Sequence, residues 1–342
     1  QSQFHVFGVT TIIIALITYC MAPIVATQPS WFYVMVVVTV LLLTELKHTF
    51  TEFAQRMKND EMITLAKFLA ISGIILPMLP HKNLIPDINL TPYSIWLATV
   101  VVSGISYLSY LLKRYVFHES GTLVSGIIGG LYSSTATISV LARKSRKASE
   151  QEATDYVAAM LLAVSMMFLR FMILILIFSR EIFLSIYPYL LTMAVVAAIV
   201  AWFIHSRQKR PEGQSAETEE DDSSNPLEFK VALIFAVLFV IFTFLTHYTL
   251  VYAGTGGLNL LSFVSGFSDI TPFILNLLQN TGSVAALIIT ACSMQAIISN
   301  IMVNMFYALF FAGKGSKLRP WILGGFGVVI VCNLVLLLFF YI

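Results

Sequence analysis

The sequence predicts an all-α, polytopic membrane protein, and three observations lead to that prediction. Hydrophobic residues make up 58% of the chain and charged residues only 11%, and the mean hydropathy is +0.85. A soluble protein of ordinary composition carries more charge on its surface. Apolar runs long enough to cross about 30 Å of hydrocarbon recur along the chain. Two of these runs are interrupted by glycine, hydroxyl residues and a carboxylate.

The apolar runs predict about eleven transmembrane helices, at about 1.5 Å of rise per residue. The predicted spans are residues 8–26, 31–46, 62–79, 93–112, 121–142, 154–178, 182–204, 227–250, 257–279, 284–311 and 319–342. Residues 47–61 are charged and amphipathic, and we expect them at the membrane interface. Residues 205–226 change from basic to acidic without apolar periodicity, which predicts a flexible linker.

Two interrupted segments, 121–137 and 257–273, align with each other. The alignment places Gly121 over Gly257, Gly130 over Gly266, Ser133 over Asp269 and Thr135 over Thr271. Hydrocarbon does not tolerate free backbone N–H and C=O groups, so a broken helix must be buried in protein or line a watery cavity. We therefore predict breaks at 129–134 and 266–271 that approach one another, as at a transporter's binding site. The alternative is that the small residues only allow close helix packing.

The two interrupted helices also predict an internal repeat. Each is the second helix of a four-helix block, 93–204 or 227–342, and the linker 205–226 separates the blocks. Because equivalent points lie four crossings apart, the repeats would be parallel rather than inverted. The basic cluster after the first interrupted helix is expected on the cytoplasmic side together with the linker. Basic residues at 47–58 and 314–319 would then lie on the opposite face.

Ten residues around the interruptions are candidate ion-binding residues. They are Ser133, Ser134, Thr135, Thr137, Arg170, Ser268, Asp269, Thr271, Asn300 and Asn304. A hydroxyl at the start of a second half-helix would cap it, and the positive end of that half-helix favours an anion. The carbonyls that end the preceding half-helix suit a cation. The identity of any bound metal stays open.

Charged and amide residues inside the spans carry the sharpest expectations. Asp269 is the only carboxylate well inside a predicted span, so it is either functional or the N-cap of a half-helix. Arg170 lies about two turns from a helix end, and we expect it to point inward, towards the first break or Asp269, unless it reaches the headgroups. Its guanidinium needs a carboxylate, carbonyls or an anionic substrate, and Asp269 is the candidate partner. Ser293, Asn300 and Asn304 share one helical face by their spacing. They either line a cavity or join helices by hydrogen bonds.

The run GTLVSGIIGGLYSSTATISVLARKSRK, with AKFLAISGIILPMLP and TPYSIWLATVVVSGISYLSY, resembles a bacterial membrane family. That family joins an MgtC/SapB-like N-terminal half to a C-terminal domain of unknown function. The later runs GFSDITPFILNL and IISNIMVN match the same family. The resemblance implies that residues 1–60 are the closing helices of an MgtC/SapB-like domain whose opening segment is missing. It also implies that residues 61–342 form a membrane transport-like domain in the bacterial inner (cytoplasmic) membrane.

This chain departs from the family's pattern at two places. A basic residue often stands in the family where this chain has Asn304, and a second acidic residue stands where it has Ile270 or Thr271. Both departures argue against a highly charged site in this member. The resemblance implies no established transport substrate.

The leading functional hypothesis is a secondary transporter or permease for a small inorganic ion, either a cation or an oxyanion. No stretch predicts a wide apolar pocket for a larger solute. The alternatives are a membrane protein that senses or regulates without transporting, and an ion channel formed by an oligomer. The expected partners are the lipid bilayer, the ion and, if an oligomer forms, a second copy of the chain. The face of Ser103, Ser106 and Tyr110 offers a helix interface, either within the chain or between subunits.

Several classes of function are not expected. The sequence contains no HExxH motif, nucleotide loop, nucleophile elbow or metal-ligand cluster, so we expect no enzyme and no cofactor. The net charge of +2 gives no reason to expect nucleic-acid binding. Cys20, Cys292 and Cys332 lie in apolar runs without a CxxC spacing, which predicts neither a disulfide nor a zinc site.

Overall fold

The computed structural model describes residues 9–29, 32–42, 59–85, 88, 90–117, 121–146, 150–207, 229–279, 284–313, 316 and 318–341. Its helices are α1 (Val9–Thr27), α2 (Phe32–Leu42), α3 (Asn59–Ala70), α4 (Leu76–Met78), α5 (Pro92–Leu111), α6 (Thr122–Lys144), α7 (Glu150–Phe178), α8 (Arg180–Ser206), α9 (Phe229–Ser265), α10 (Ile270–Gln279), α11 (Ala286–Ala312) and α12 (Arg319–Tyr341). Within these described ranges the sole β-type pairing is an isolated bridge between Ile85 and Ile88. The all-α prediction is confirmed.

Seven helices in the described part of the chain are long and apolar enough to cross a membrane: α5 to α9, α11 and α12. Shorter apolar helices occur at Ile12–Thr27, Phe32–Leu42 and Ile270–Gln279. The chain is therefore a polytopic membrane protein. The predicted number of full spans is eleven, and four of the predicted runs are not among these seven helices. The runs 8–26 and 31–46 correspond to the shorter described helices Ile12–Thr27 and Phe32–Leu42. The run 257–279 is divided between the end of α9 and α10, and a π-helical stretch at Ile71–Ile75 interrupts the run 62–79.

The chain forms two compact units, residues 1–66 and 67–342. The second unit contains all seven of the spanning helices just named. The predicted interfacial segment falls mostly outside the described residues, and so does the linker beyond residue 207. His205 and Ser206, predicted to open the linker, instead end α8, where His205 Nδ1 lies 2.6 Å from Asp155 Oδ1 of α7.

Close helix packing in the second unit depends on small residues at the contact of α6 and α7. A Cβ on Gly130 would lie 2.5 Å from Ala163 Cα, and one on Gly126 would lie 2.8 Å from the Ala159 carbonyl carbon. Glycine therefore lets the α6 backbone rest directly against the α7 backbone. Lipid tails are as apolar as leucine, so such van der Waals contact is a main source of helix association in a bilayer.

Buried hydrogen bonds join the remaining helices. Ser165 Oγ of α7 donates to the Ala194 carbonyl of α8 at 2.8 Å, and the Tyr189 hydroxyl of α8 bonds the side-chain oxygen of Asn333 in α12. Asn276 Nδ2 of α10 donates to Thr243 Oγ1 of α9 at 2.6 Å. Each bond gives buried polar groups the partner that hydrocarbon cannot provide. The positions of these bonds therefore determine which faces of the helices are in contact.

The basic cluster after α6 has a structural role. Arg146 Nη2 donates to the Phe310 carbonyl at 3.2 Å, and its Nε donates to the Phe311 carbonyl. These carbonyls belong to the last turn of α11, where they have no partner within the helix. The Arg143 guanidinium lies 4.4 Å from the centre of the Phe311 ring. The second half of α6 is thereby tied to the end of α11.

A single glycine bends α9. Gly254 has φ 59° and ψ −150°, and the helix continues on both sides of it. The sequence predicts two separate spans, 227–250 and 257–279, with a loop between them. That prediction is wrong in its connection, because only one residue leaves the helical conformation. Residues with a side chain essentially never adopt these angles, so glycine is required here.

Replacing Gly254 with alanine should lower the stability of the fold by about 1–3 kcal/mol, the usual cost of this backbone conformation for an L side chain. The cost is conformational, because a Cβ at Gly254 meets no atom within 4 Å. Gly256→Ala is the matched control, since its Cβ also has open space and its helical position favours alanine by up to about 1 kcal/mol. Thermal unfolding in detergent measures both, and an equal midpoint for the two variants would contradict the assignment.

Candidate functional site

The first predicted break lies in α6. Ser133 leaves the helical conformation with φ −159° and ψ 107°, between a half-helix that ends at Tyr132 and one that begins at Ser134. Ser133 Oγ accepts a hydrogen bond from the Ala136 amide at 3.4 Å, which is a long bond in N-cap geometry. The predicted interruption at 129–134 is confirmed.

The second predicted break separates α9 from α10. The helix ends at Ser265, residues 266–269 form a turn, and α10 begins at Ile270. Asp269 Oδ1 accepts from the Thr271 amide at 2.9 Å, so Asp269 caps α10. Pro272 stands in the first turn, where its missing N–H costs nothing. The predicted interruption at 266–271 is also confirmed.

Side chains from the neighbouring helices satisfy a carbonyl at each break. Arg170 Nη1 of α7 donates to the Tyr132 carbonyl at 2.8 Å. Asn300 Nδ2 of α11 donates to the Gly266 carbonyl at 3.2 Å. An unsatisfied backbone group in hydrocarbon costs several kcal/mol, so these two bonds permit the breaks. The prediction that Arg170 points into the protein toward the first break is confirmed.

Both breaks face one cavity of about 390 Å³. Its walls come from α5, α6, α7, α9, α10 and α11. Eight of the ten predicted site residues line it: Ser133, Ser134, Thr135, Arg170, Ser268, Asp269, Thr271 and Asn300. The cavity therefore brings together residues that lie far apart in the sequence.

The other two predicted site residues lie behind the cavity wall. The Thr137 side chain packs against Gly129, where an added Cβ would lie 2.5 Å from Thr137 Oγ1. Asn304 is fully buried, and its Nδ2 donates to Asn300 Oδ1 at 3.1 Å. Asn304 thus holds the residue that lines the cavity. Ser293 is also fully buried and bonds the Ile289 carbonyl of its own helix at 2.7 Å.

Of the partners expected for Arg170, the structure shows a carbonyl, that of Tyr132, rather than an ion pair with Asp269. Both side chains line the cavity and their charges interact across it. The ion pair within 4.0 Å that the described residues form is instead His205 with Asp155. Arg170 bonds a neutral carbonyl, and Asp269 bonds the first turn of α10. The reason is local: each charged group has a partner at a nearby helix end.

The cavity wall also contains residues that are not among the ten predicted from the sequence. Ser103 and Ser106 of α5 line the cavity although their serine-rich face was expected to be a helix interface. Tyr307 also lines it, and its position seven residues after Asn300 was a usable signal. The cavity has a broad apolar wall, contrary to the expectation, formed by Val102, Met167, Phe171, Ile234, Phe235, Leu238, Phe267, Ile270 and Val303.

Comparisons with known proteins bear on the same region. The family described as "Domain of unknown function (DUF4010)" matches residues 100–312, which include both breaks and the cavity. An "Uncharacterized protein" of Aquifex aeolicus (strain VF5) is 25% identical over 227 residues, covering 65% of this chain and 96% of that protein. No solved structure matches. The family match begins after residues 1–60, so the MgtC/SapB-like assignment of that segment stays a prediction.

Replacing Gly130 with alanine should destabilise the protein by about 1–3 kcal/mol, as other overpacked substitutions do. The added Cβ would collide with the backbone of Ala163 and push α6 away from α7. Gly324→Ala is the control, because Gly324 lies inside α12 and a Cβ there meets nothing within 4 Å. Thermal unfolding in detergent compares the two variants. Equal midpoints would show that α6 and α7 do not pack through Gly130.

Proposed function

The chain belongs to the DUF4010 family, a domain of unknown function, and on that premise we propose that it is a secondary transporter or permease. It moves a small ion through the cavity between the two helix breaks. The helices indicate a membrane, and the resemblance of the sequence to a bacterial family supports the proposal that this membrane is the bacterial cytoplasmic membrane. The proposal assigns the chain no chemical reaction.

One observation carries the proposal: two helix breaks face the same cavity. A break at membrane depth exposes backbone groups that continuous helices would satisfy at no cost. Packing alone gives no reason to keep two such breaks, and still less to bring them together. Secondary transporters use paired broken helices in this way, with the binding site between them.

The cavity walls support a transport role rather than simple binding. α5, α6 and α7 precede the linker in the sequence, whereas α9, α10 and α11 follow it, and all six contribute side chains. Transporters alternate access by moving one such group of helices against another around a fixed site. A small relative motion of these two groups would change the membrane face to which the cavity opens.

Asp269 is the residue on which coupling would depend. It is the carboxylate of the cavity wall, its side chain is exposed there, and one oxygen caps α10. A proton or a cation that binds the other oxygen changes the charge of the site. Such a change would alter the affinity for a second ion in the same cavity.

The Asp269→Asn variant in liposomes should transport at least about tenfold more slowly than the unchanged protein, the effect of losing one charge-assisted interaction. Asparagine keeps the shape and the cap while removing the charge. Solid-supported membrane currents with a panel of inorganic cations and oxyanions measure the rate. Glu181→Gln is the matched control, because Glu181 is exposed in the first turn of α8 and outside the cavity.

One outcome would count against transport, and another would count against the role of Asp269. Currents absent for every ion, with protein shown to be folded, would favour a regulatory protein that keeps the breaks as a sensing site. Currents that Asp269→Asn leaves unchanged at every pH would reduce Asp269 to a helix cap.

A further inference from the structure

We propose that the cavity binds a small oxyanion with a single negative charge, and that Arg170 is the residue that holds it. This inference names the ion of the proposed function and rests on it for transport, although binding can be tested separately. Four observations support it: the free donors of Arg170, the engaged state of Asp269, the open hydroxyls around them, and the charge of the cavity.

Arg170 has more donors than the protein uses. A guanidinium carries five N–H groups, and one nitrogen of Arg170 donates to the Tyr132 carbonyl at 2.8 Å. Its Nε is buried and has no hydrogen-bond partner in the described part of the protein. A carbonyl is neutral, and although the Asp269 charge interacts with Arg170, the two side chains form no ion pair within 4.0 Å among the described residues. A cation at membrane depth is costly unless a negative group pairs with it.

Asp269 does not fill that role. Its Oδ1 accepts from the Thr271 amide, at the positive end of the ten-residue helix α10. The helix terminus therefore balances much of the carboxylate charge. Arg170 has no comparable partner, and this asymmetry decides the sign of the ligand. A cation at the other Asp269 oxygen would meet a carboxylate whose charge the helix terminus already balances, and it would be repelled by Arg170.

Four hydroxyls add donors to the same cavity. Ser103, Ser106, Ser134 and Thr135 line it, and none of these side chains forms a hydrogen bond within the described residues. Ser134 and Thr135 also begin the second half of α6, and the positive end of a helix favours negative charge. Oxygen atoms of a ligand are the natural acceptors for this set.

The charge and shape of the site restrict which anions would fit it. The α10 terminus balances much of the Asp269 charge, so the Arg170 guanidinium is the main unbalanced charge of the cavity wall. A singly charged anion neutralises it, whereas a doubly charged anion would leave an excess of negative charge. The planar guanidinium matches two coplanar oxygens. Nitrate, bicarbonate and the carboxylate of a short organic acid share this chemistry. The neighbouring Phe171, Phe235 and Leu238 could hold a short carbon chain.

Anion titrations of the full chain in detergent test the inference, with calorimetry and thermal unfolding as readouts. Nitrate and formate should bind at least about tenfold more tightly than chloride or sulfate, because only they match the guanidinium fork with one charge. Arg170→Gln should weaken nitrate binding about 10- to 100-fold, the value of a hydrogen bond to a charged group. Arg170→Lys keeps the charge without the planar guanidinium, so its nitrate affinity should lie between those of the unchanged protein and Arg170→Gln.

The control variant is Arg180→Gln, which removes an exposed arginine outside the cavity and should leave nitrate affinity unchanged. Formate, acetate and butyrate distinguish the two sources of the oxyanion. Affinity that rises with chain length identifies an organic acid that uses the apolar wall, whereas affinity that falls identifies an inorganic anion.

The inference is overturned if sulfate or chloride binds as well as nitrate in the unchanged protein, a comparison that needs no folded variant. It is also overturned if folded Arg170→Gln binds nitrate normally, or if only cations bind. Cation currents without nitrate binding would leave the proposed transport intact and remove this inference. Nitrate binding without any current would support this inference and contradict the proposed transport.

Discussion

The structure depends on one constraint: a helix broken inside hydrocarbon must find partners for the backbone groups it releases. Arg170 donates a hydrogen bond to the Tyr132 carbonyl, and Asn300 donates one to the Gly266 carbonyl. Each donor comes from the helix that packs directly against the break. Glycine makes that approach possible, because Gly130 lies against α7 and Gly266 lies against Ser299 of α11. Close packing, satisfied carbonyls and the cavity are therefore consequences of the same contacts.

The same two regions show a parallel arrangement. Gly130 lies against Ala163 of α7, and Gly266 lies against Ser299 of α11. The two glycines are separated along the sequence by the same number of residues as their two partners. The internal repeat itself stays a prediction. The donors at the two breaks differ, since the first break uses a charged arginine and the second a neutral asparagine that Asn304 holds in place. The cavity is thus asymmetric in charge.

The breaks could be predicted from sequence because glycine, hydroxyl residues and proline disfavour a continuous helix locally. The partner of Arg170 could not, because which group a long side chain reaches depends on how neighbouring helices pack. Gly254 looked like part of a loop, since no local signal says that one residue alone leaves the helix. The apolar wall was missed for another reason. Phe171 and Phe235 line the cavity, but a phenylalanine in an apolar run is equally compatible with a position that faces lipid.

The central claim is that water reaches the two breaks at membrane depth, and thiol accessibility tests it most directly. Ser268→Cys lies in the cavity wall, whereas Val331→Cys lies on the exposed apolar surface of α12. Both are made after Cys20, Cys292 and Cys332 are replaced, and a charged thiol reagent is added to both faces of membrane vesicles. The account predicts rapid labelling of Ser268→Cys and none of Val331→Cys, because thiols ionise and react only in water. Equal protection of the two positions would contradict it.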